Sequence, residues 1–250
     1  MGGAERGGPG RTGALVSGIA VALGCVLFLG GFAWAAILYK PYTVPTDSMA
    51  PTIARGARVL AQRIDGDEVR RGDVVVFRDK VWGDATMVKR VVGVGGDTVV
   101  CCDRQGRMTV NGTPVEEPYL QSGGPASPGG FSATVPRGDL FLLGDHRADS
   151  IDSRSHLTKD QGSIPRGAVS ARVDAALWPT DAFGMLPRPG SFDALPGGTS
   201  EPGPIRMLGI AVVVGAALIL GGAAYGPLAR LATGRTARRS GNGKAVAPHG

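Results

Sequence analysis

Arg71-Gly72-Asp73-Val74-Val75-Val76-Phe77-Arg78 places a turn and a strand side by side. Glycine reaches positive φ without a Cβ clash, and the neighbouring aspartate hydrogen-bonds its own backbone, so Gly72-Asp73 reads as a turn. The short apolar run after it reads as a strand. The same punctuation recurs at Gly66-Asp67, Gly83-Asp84, Gly96-Asp97, Gly138-Asp139 and Gly144-Asp145. It stands before or between further short apolar runs: Val88–Val92, Thr98–Cys101, Leu140–Leu143 and Ala168–Leu177. Met108-Thr109-Val110 runs into Asn111-Gly112, a strong hairpin-turn signal. No long amphipathic helix interrupts the pattern. Residues 39–178 therefore read as a mainly β domain.

Outward from this domain the chain changes character. Ala14 to Leu38 holds 25 uncharged residues. As a helix these span ~37 Å, more than the ~30 Å of a hydrocarbon core. Met207 to Ala229 holds 23 more, rich in Val, Leu, Ile, Ala and Gly. Both are expected to be transmembrane helices, residues 14–38 and 207–229. Ala33-Trp34-Ala35 resembles a cleavage site, but the apolar stretch is longer than a signal peptide's. The alternative for the Gly-rich second stretch is a buried hairpin. Pro179–Pro204 carries six Pro and five Gly in 26 residues, and residues 179–206 read as a linker without a core. Gln121–Gly130 reads as an exposed loop.

Charge sets the expected topology. Lys40 to Arg206 contains 20 Lys/Arg and 20 Asp/Glu, so the formal +6 lies outside it. The N-terminal tail, residues 1–13, has Arg6 and Arg11 against Glu5. The C-terminal tail, residues 230–250, has Arg230, Arg235, Arg238, Arg239 and Lys244 and no acid. Two basic ends beside two spans predict both termini in the cytoplasm and the β domain outside it, at the cell membrane. The basic character thus needs no nucleic-acid partner. Trp34, Tyr39, Tyr42, Trp82 and Trp178 are candidates for the membrane interface; Trp82 and Trp178 serve equally as ordinary core or surface aromatics. Cys25 lies in the first span. Cys101 and Cys102 are adjacent and do not easily bridge each other without strain, which leaves a free pair or an intermolecular link.

Three stretches carry chemistry. In Pro45-Thr46-Asp47-Ser48-Met49-Ala50-Pro51-Thr52 a serine lies between prolines on a restricted backbone soon after the first span. In Thr86-Met87-Val88-Lys89-Arg90-Val91-Val92, strand alternation puts Met87, Lys89 and Val91 on one face. Lysine is scarce, five against 22 arginines, and one on an apolar face is a candidate buried amine. Burial lowers its pKa, so that the neutral amine can act as a base. Gly144-Asp145-His146-Arg147-Ala148-Asp149-Ser150-Ile151-Asp152-Ser153-Arg154 is a dense polar run after an apolar strand, suited to a hydrogen-bonded network. Its order of residues does not fit a calcium loop, and no zinc spacing is present, so no metal and no cofactor is expected.

Taken together, these stretches resemble the signature boxes of the type I signal peptidase family. Pro45–Thr52 resembles the nucleophile box and Arg71–Arg78 the strand box. Lys89–Gly93 with Gly96-Asp97 resembles the lysine box, and Gly144–Arg154 the final polar box. The resemblance runs from about Tyr39 to Trp178. It implies a β catalytic domain of the signal-peptidase and LexA-like type, flanked by two transmembrane helices. It implies Ser48 as nucleophile and Lys89 as general base. The Ser48 backbone N–H and the Thr46 hydroxyl would form the oxyanion hole, and Ser150 would orient the lysine. Arg90, Asp145, Asp152 and Arg154 would form a salt-bridged support. The implied substrates are exported preproteins with small residues at −1 and −3 of the cut, met at the lipid surface near the secretion translocon. His146 stands where the family has Asn, Gly95 where Pro is common, and Gly56-Ala57 where Gly-Asp is frequent. His146 or His156 as base of a conventional triad is the alternative.

Overall fold

The computed structural model describes residues 10–120 and 125–241. Two long helices, α1 (Gly10–Leu38) and α2 (Ile205–Gly241), lie at the two ends of the chain. The strands between them are β1 (Tyr39–Thr43), β2 (Arg58–Arg63), β3 (Val74–Arg78), β4 (Thr86–Val94), β5 (Thr98–Cys101) and β6 (Met108–Val110). They continue with β7 (Thr113–Pro114), β8 (Phe131–Thr134), β9 (Asp139–Leu143), β10 (Ile164–Pro165), β11 (Val169–Trp178) and β12 (Gly184–Met185). The contacts divide the chain into two units, the helix pair and the β unit of residues 38–203. The fold is mainly β with two apolar helices, as expected.

In the helix pair, Gly13–Leu38 and Ile205–Tyr225 are long and apolar enough to cross a membrane. Their outer surfaces carry Leu15, Val26, Leu29, Val213 and Leu220, each more than 60% exposed. The helices meet through small residues, the usual way for helices in lipid to approach closely. A Cβ on Gly24 would lie 2.8 Å from the Gly215 carbonyl oxygen, and one on Gly215 would lie 2.6 Å from Phe28 N. Ser17 Oγ donates to the Gly222 carbonyl at 2.7 Å. Gly215 and Gly222 of the second span thus serve a helix–helix seam.

The β unit is built from two sheets. The larger has the order β1-β2-β11-β3-β4-β9-β10, with β12 beside β11; the smaller has the order β7-β6-β5-β8. Val74 to Phe77 of β3 are all buried, because β3 lies centrally between β11 and β4. The turn between β6 and β7 uses Asn111 and Gly112 at φ 54° and 78°, as its sequence predicts. One apolar cluster joins Met49 to Val59, Val74, Val76 and Val173. Another joins Val75, Phe77 and Val91 to Leu140, Leu142 and Ile164. A third lies on the small sheet around Val99, Met108, Val110, Phe131 and Phe141.

Four expectations need correction. The Pro/Gly-rich segment 179–204 is no bare linker: Phe192 is fully buried and Leu195 nearly so in the cluster on the small sheet. The Pro196 carbonyl accepts from Arg71 at 2.7 Å, and Ser200 Oγ donates to Asp73 at 2.5 Å. Proline and glycine preclude regular ladders, but a few apolar side chains suffice to pin such a segment. In the expected loop at 121–130, residues 121–124 lie outside the described part, while Ala126 and Ser127 are buried. Cys101 and Cys102, expected free or linked to another chain, are joined to each other as a vicinal disulfide, with Cα atoms 3.0 Å apart. Trp82 and Tyr39 are core residues, 8% and 4% exposed, whereas Trp178 and Trp34 are more than half exposed. The terminal tails, residues 1–9 and 242–250 with His249 and Lys244, fall outside the described residues.

Candidate active site

After β1 the chain enters a tight turn that carries Ser48. Val44 is pinned by two backbone bonds, its N–H to the Ala57 carbonyl at 2.9 Å and its carbonyl from Gly56 N at 2.7 Å. Ala50 N donates to the Asp47 carbonyl at 2.8 Å, and Ile53 N to the Met49 carbonyl at 2.9 Å. Met49 has no exposed surface and anchors the turn in the core, so its neighbour Ser48 has little freedom. The Ser48 carbonyl accepts from His146 N at 3.1 Å, which ties the turn to the polar loop after β9. A Cβ on Gly144 would collide with the Ser48 carbonyl oxygen and with Ser150 Oγ, so only glycine permits this approach.

Lys89 arrives from β4. The register sets it opposite Val75, which shares an apolar cluster with Met87 and Val91. Lys89 Nζ donates to Ser48 Oγ at 2.6 Å, and the two residues are 3% and 8% exposed. Thr46 Oγ1 lies 3.2 Å from the same Ser48 oxygen. Burial holds the Lys89 amine below the ordinary value of 10.5. The Asp152 and Asp145 carboxylates pull the other way without overcoming it, and the Arg154 charge adds to the lowering.

Arg90, the next residue on the strand, is treated differently. Its guanidinium grips Asp145 by two bonds, Nε to Oδ1 at 2.9 Å and Nη2 to Oδ2 at 2.7 Å. Its third nitrogen donates to the Gly72 carbonyl at 2.8 Å, and its charge lies 3.9 Å over the Tyr119 ring. Asp152 is held by both Arg154, at 2.8 and 2.7 Å, and Gly144 N, at 3.0 Å. The four residues expected as support thus form two ion pairs around the Ser48–Lys89 contact.

Ser150 differs from expectation. Its Oγ is buried near Gly144 and makes no hydrogen bond, to Lys89 or to any other described group. Neither histidine meets Ser48 through its ring. His146 reaches it through its backbone, and His156 stacks on Trp82 at 4.8 Å. Sequence reasoning missed two further buried pairs. Arg147 bonds Glu117, the Gly144 carbonyl at 3.0 Å and the Ala126 carbonyl at 2.6 Å. Arg71 grips Asp97 at 2.7 and 2.5 Å. The Arg71–Asp97 pair was visible as two charged positions in separate boxes; nothing local to Glu117 announced its partner.

Chemically, a buried amine of lowered pKa on a serine hydroxyl, ringed by satisfied ion pairs, can work as base and nucleophile. The family described as signal peptidase, peptidase S26, matches residues 14–178. Signal peptidase I U of Bacillus subtilis is 35% identical over 128 residues, 48% of this chain and 67% of that protein. Signal peptidase I of Mycobacterium tuberculosis is 30% identical over 199 residues, 59% of this chain and 67% of that protein. A solved signal peptidase I from Enterococcus faecalis is 26% identical, with a TM-score of 0.34 over 41% of this chain and 94% of its own. On the family match and the sequence relatives, the chain belongs to the signal peptidase family, peptidase S26, serine endopeptidases that remove signal peptides.

Proposed function

We propose that the chain cleaves signal peptides from exported preproteins by a Ser48–Lys89 dyad working through an acyl-enzyme. The observation that carries this reading is the 2.6 Å contact between Lys89 Nζ and Ser48 Oγ in a buried setting. With the amine neutral, its lone pair accepts the Ser48 proton as the hydroxyl oxygen attacks the scissile carbonyl. The Ser48 backbone N–H and the Thr46 hydroxyl receive the developing oxyanion. The resulting ammonium then protonates the leaving amine of the mature protein. The signal peptide remains as an ester on Ser48 until water, deprotonated by Lys89, releases it. Ser150, whose hydroxyl has no partner at rest, orients the amine once Ser48 is acylated.

Substrate binding is proposed as strand addition, with small residues at −1 and −3 entering shallow pockets. An open edge supports this. β9 pairs with β4 from Arg90 onward, so Thr86–Lys89 have no strand on that side among the described residues. The two apolar helices support anchoring in a membrane, and the distribution of charge supports cytoplasmic termini with the β unit on the opposite side. There it meets lipid and preproteins emerging from the translocon. The test is cleavage of a preprotein by the full chain in detergent. Ser48→Ala and Lys89→Ala are each expected to lower the rate by about 10⁴-fold or more. Full activity in either variant removes that residue from the chemistry.

A further inference from the structure

His146 lies one residue beyond Asp145 and bonds the Ser48 carbonyl through its backbone, yet its side chain has no part in the proposed dyad. Its Nδ1 is buried and unpartnered. A buried ring nitrogen without a partner is costly unless something occupies it. Two carboxylates stand beside the His146 ring. Asp47, Asp149 and His146 each present a ligand atom, and the three atoms lie within 4.8 Å of one another. Asp149 N donates to the His146 carbonyl at 3.0 Å and His146 N to the Ser48 carbonyl at 3.1 Å, so the backbone ties His146 to Asp149 and to the residue after Asp47. Asp47 and Asp149 make no ion pair among the described residues. The nearby cations are committed elsewhere: Arg147 to Glu117, Arg154 to Asp152, and Lys89 to Ser48.

We propose that Asp47, His146 and Asp149 form a divalent-cation site of the zinc class beside Ser48, and that the bound metal inhibits the enzyme. One imidazole with two carboxylates suits zinc and its borderline-soft neighbours, whereas magnesium and calcium favour all-oxygen sets. Zinc at 2.0–2.2 Å from each ligand requires ligand atoms about 3.4 Å apart, with water completing the tetrahedron. Asp47 and Asp149 are exposed and their side chains have room to close that gap. The inhibitory effect rests on the proposed role of Ser48. The Asp47–Ser48 peptide carries the N–H assigned to the oxyanion, so a metal drawing on the Asp47 carboxylate misdirects that donor. Binding of the metal does not depend on that role.

The full chain in detergent is titrated with zinc chloride against a chromophoric zinc indicator, for wild type, His146→Asn and Asp149→Asn. The expected result is one site per chain in wild type, weakened at least about tenfold in both variants, since even an indirect partner of a metal ligand is worth that much. Asp149→Asn changes an exposed residue, so it keeps the test valid if His146→Asn folds poorly. Zinc is also expected to slow preprotein cleavage by wild type reversibly, with chelator restoring the rate, and to leave His146→Asn resistant. Equal zinc affinity in all three proteins overturns the site. Loss of binding in the variants together with zinc-insensitive cleavage by wild type keeps the site and overturns inhibition. Wild type that cleaves no preprotein in the absence of metal speaks against the proposed peptidase chemistry instead, and leaves the binding result standing.

Discussion

Lys89 and Arg90 are neighbours on β4, both cations, both almost fully buried, and the fold handles them in opposite ways. Arg90 receives a carboxylate in bidentate geometry, a backbone carbonyl and an aromatic face. Lys89 receives a hydroxyl, and the two carboxylates that act on it, Asp152 and Asp145, are already claimed by Arg154 and Arg90. A buried charge with a matched partner stays charged and locks structure; a buried amine without one is pushed toward neutrality. Arginine suits the first role because it does not deprotonate in proteins, and lysine suits the second because it does. The contrast shows how the proposed base and a strut can occupy consecutive positions.

The sharpest way to break the comparison is to make the two positions alike. Lys89→Arg keeps the charge permanently, so cleavage is expected to fall about 10⁴-fold or more at every pH. In wild type the amine must be unprotonated to act. The rate, kcat/KM, is therefore expected to fall as pH drops through the folded-state pKa, which lies below 10.5. A pH profile of wild type with no acidic limb, or active Lys89→Arg, removes Lys89 as the base. Next in size is the strut. Asp145→Asn leaves the Arg90 charge buried without its counter-ion, and unfolding in denaturant is expected to show a loss of about 3–5 kcal/mol. A loss below about 1 kcal/mol would mean that water or another group reaches Arg90.

Thr46→Val tests the oxyanion assignment on the other side of Ser48. It is expected to lower kcat about 10²–10³-fold with little change in KM, measured on the same preprotein. An effect on KM alone would place Thr46 in binding. The smallest effect is on stability at Lys89 itself. The folded pKa lies below the unfolded one, so the unfolded chain binds more protons between the two values and wild-type stability rises with pH there. Lys89→Met lacks that penalty. Its denaturation midpoint is expected to exceed that of wild type most at about pH 6, and the difference to shrink toward about pH 10. A pH-independent difference would show that the amine is not held neutral by burial.

Much of the site was legible because its residues sit in short local patterns. Ser48 follows Thr46 within one turn, Lys89 and Arg90 share a strand, and Asp152 caps the turn that bears Arg154. Strands with compact apolar runs, β3, β5 and β9, were legible for the same reason. β2 and β8 were not, since Val59-Leu60-Ala61 is a run of only three between polar residues, and Phe131 and Ala133 are two apolar positions among polar ones. Phe192 and Leu195 were hidden by the proline and glycine around them, although each buries a full side chain. The Ser150 role is the clearest mismatch. The family resemblance assigns it to the lysine, whereas the structure leaves its hydroxyl unbonded and puts the amine on Ser48.

By itself the sequence determined what local chemistry determines: two apolar spans, a chain of strands and Gly-Asp turns, and the residue types a Ser/Lys peptidase requires. Only the tertiary structure decided which charges are spoken for. Asp145 goes to Arg90, Asp152 to Arg154 and Glu117 to Arg147, across as many as 55 residues of chain. Whether a lysine is an ion-pair partner or a base depends on how much water and how many free carboxylates surround it. Both are properties of packing, set by residues distant in sequence.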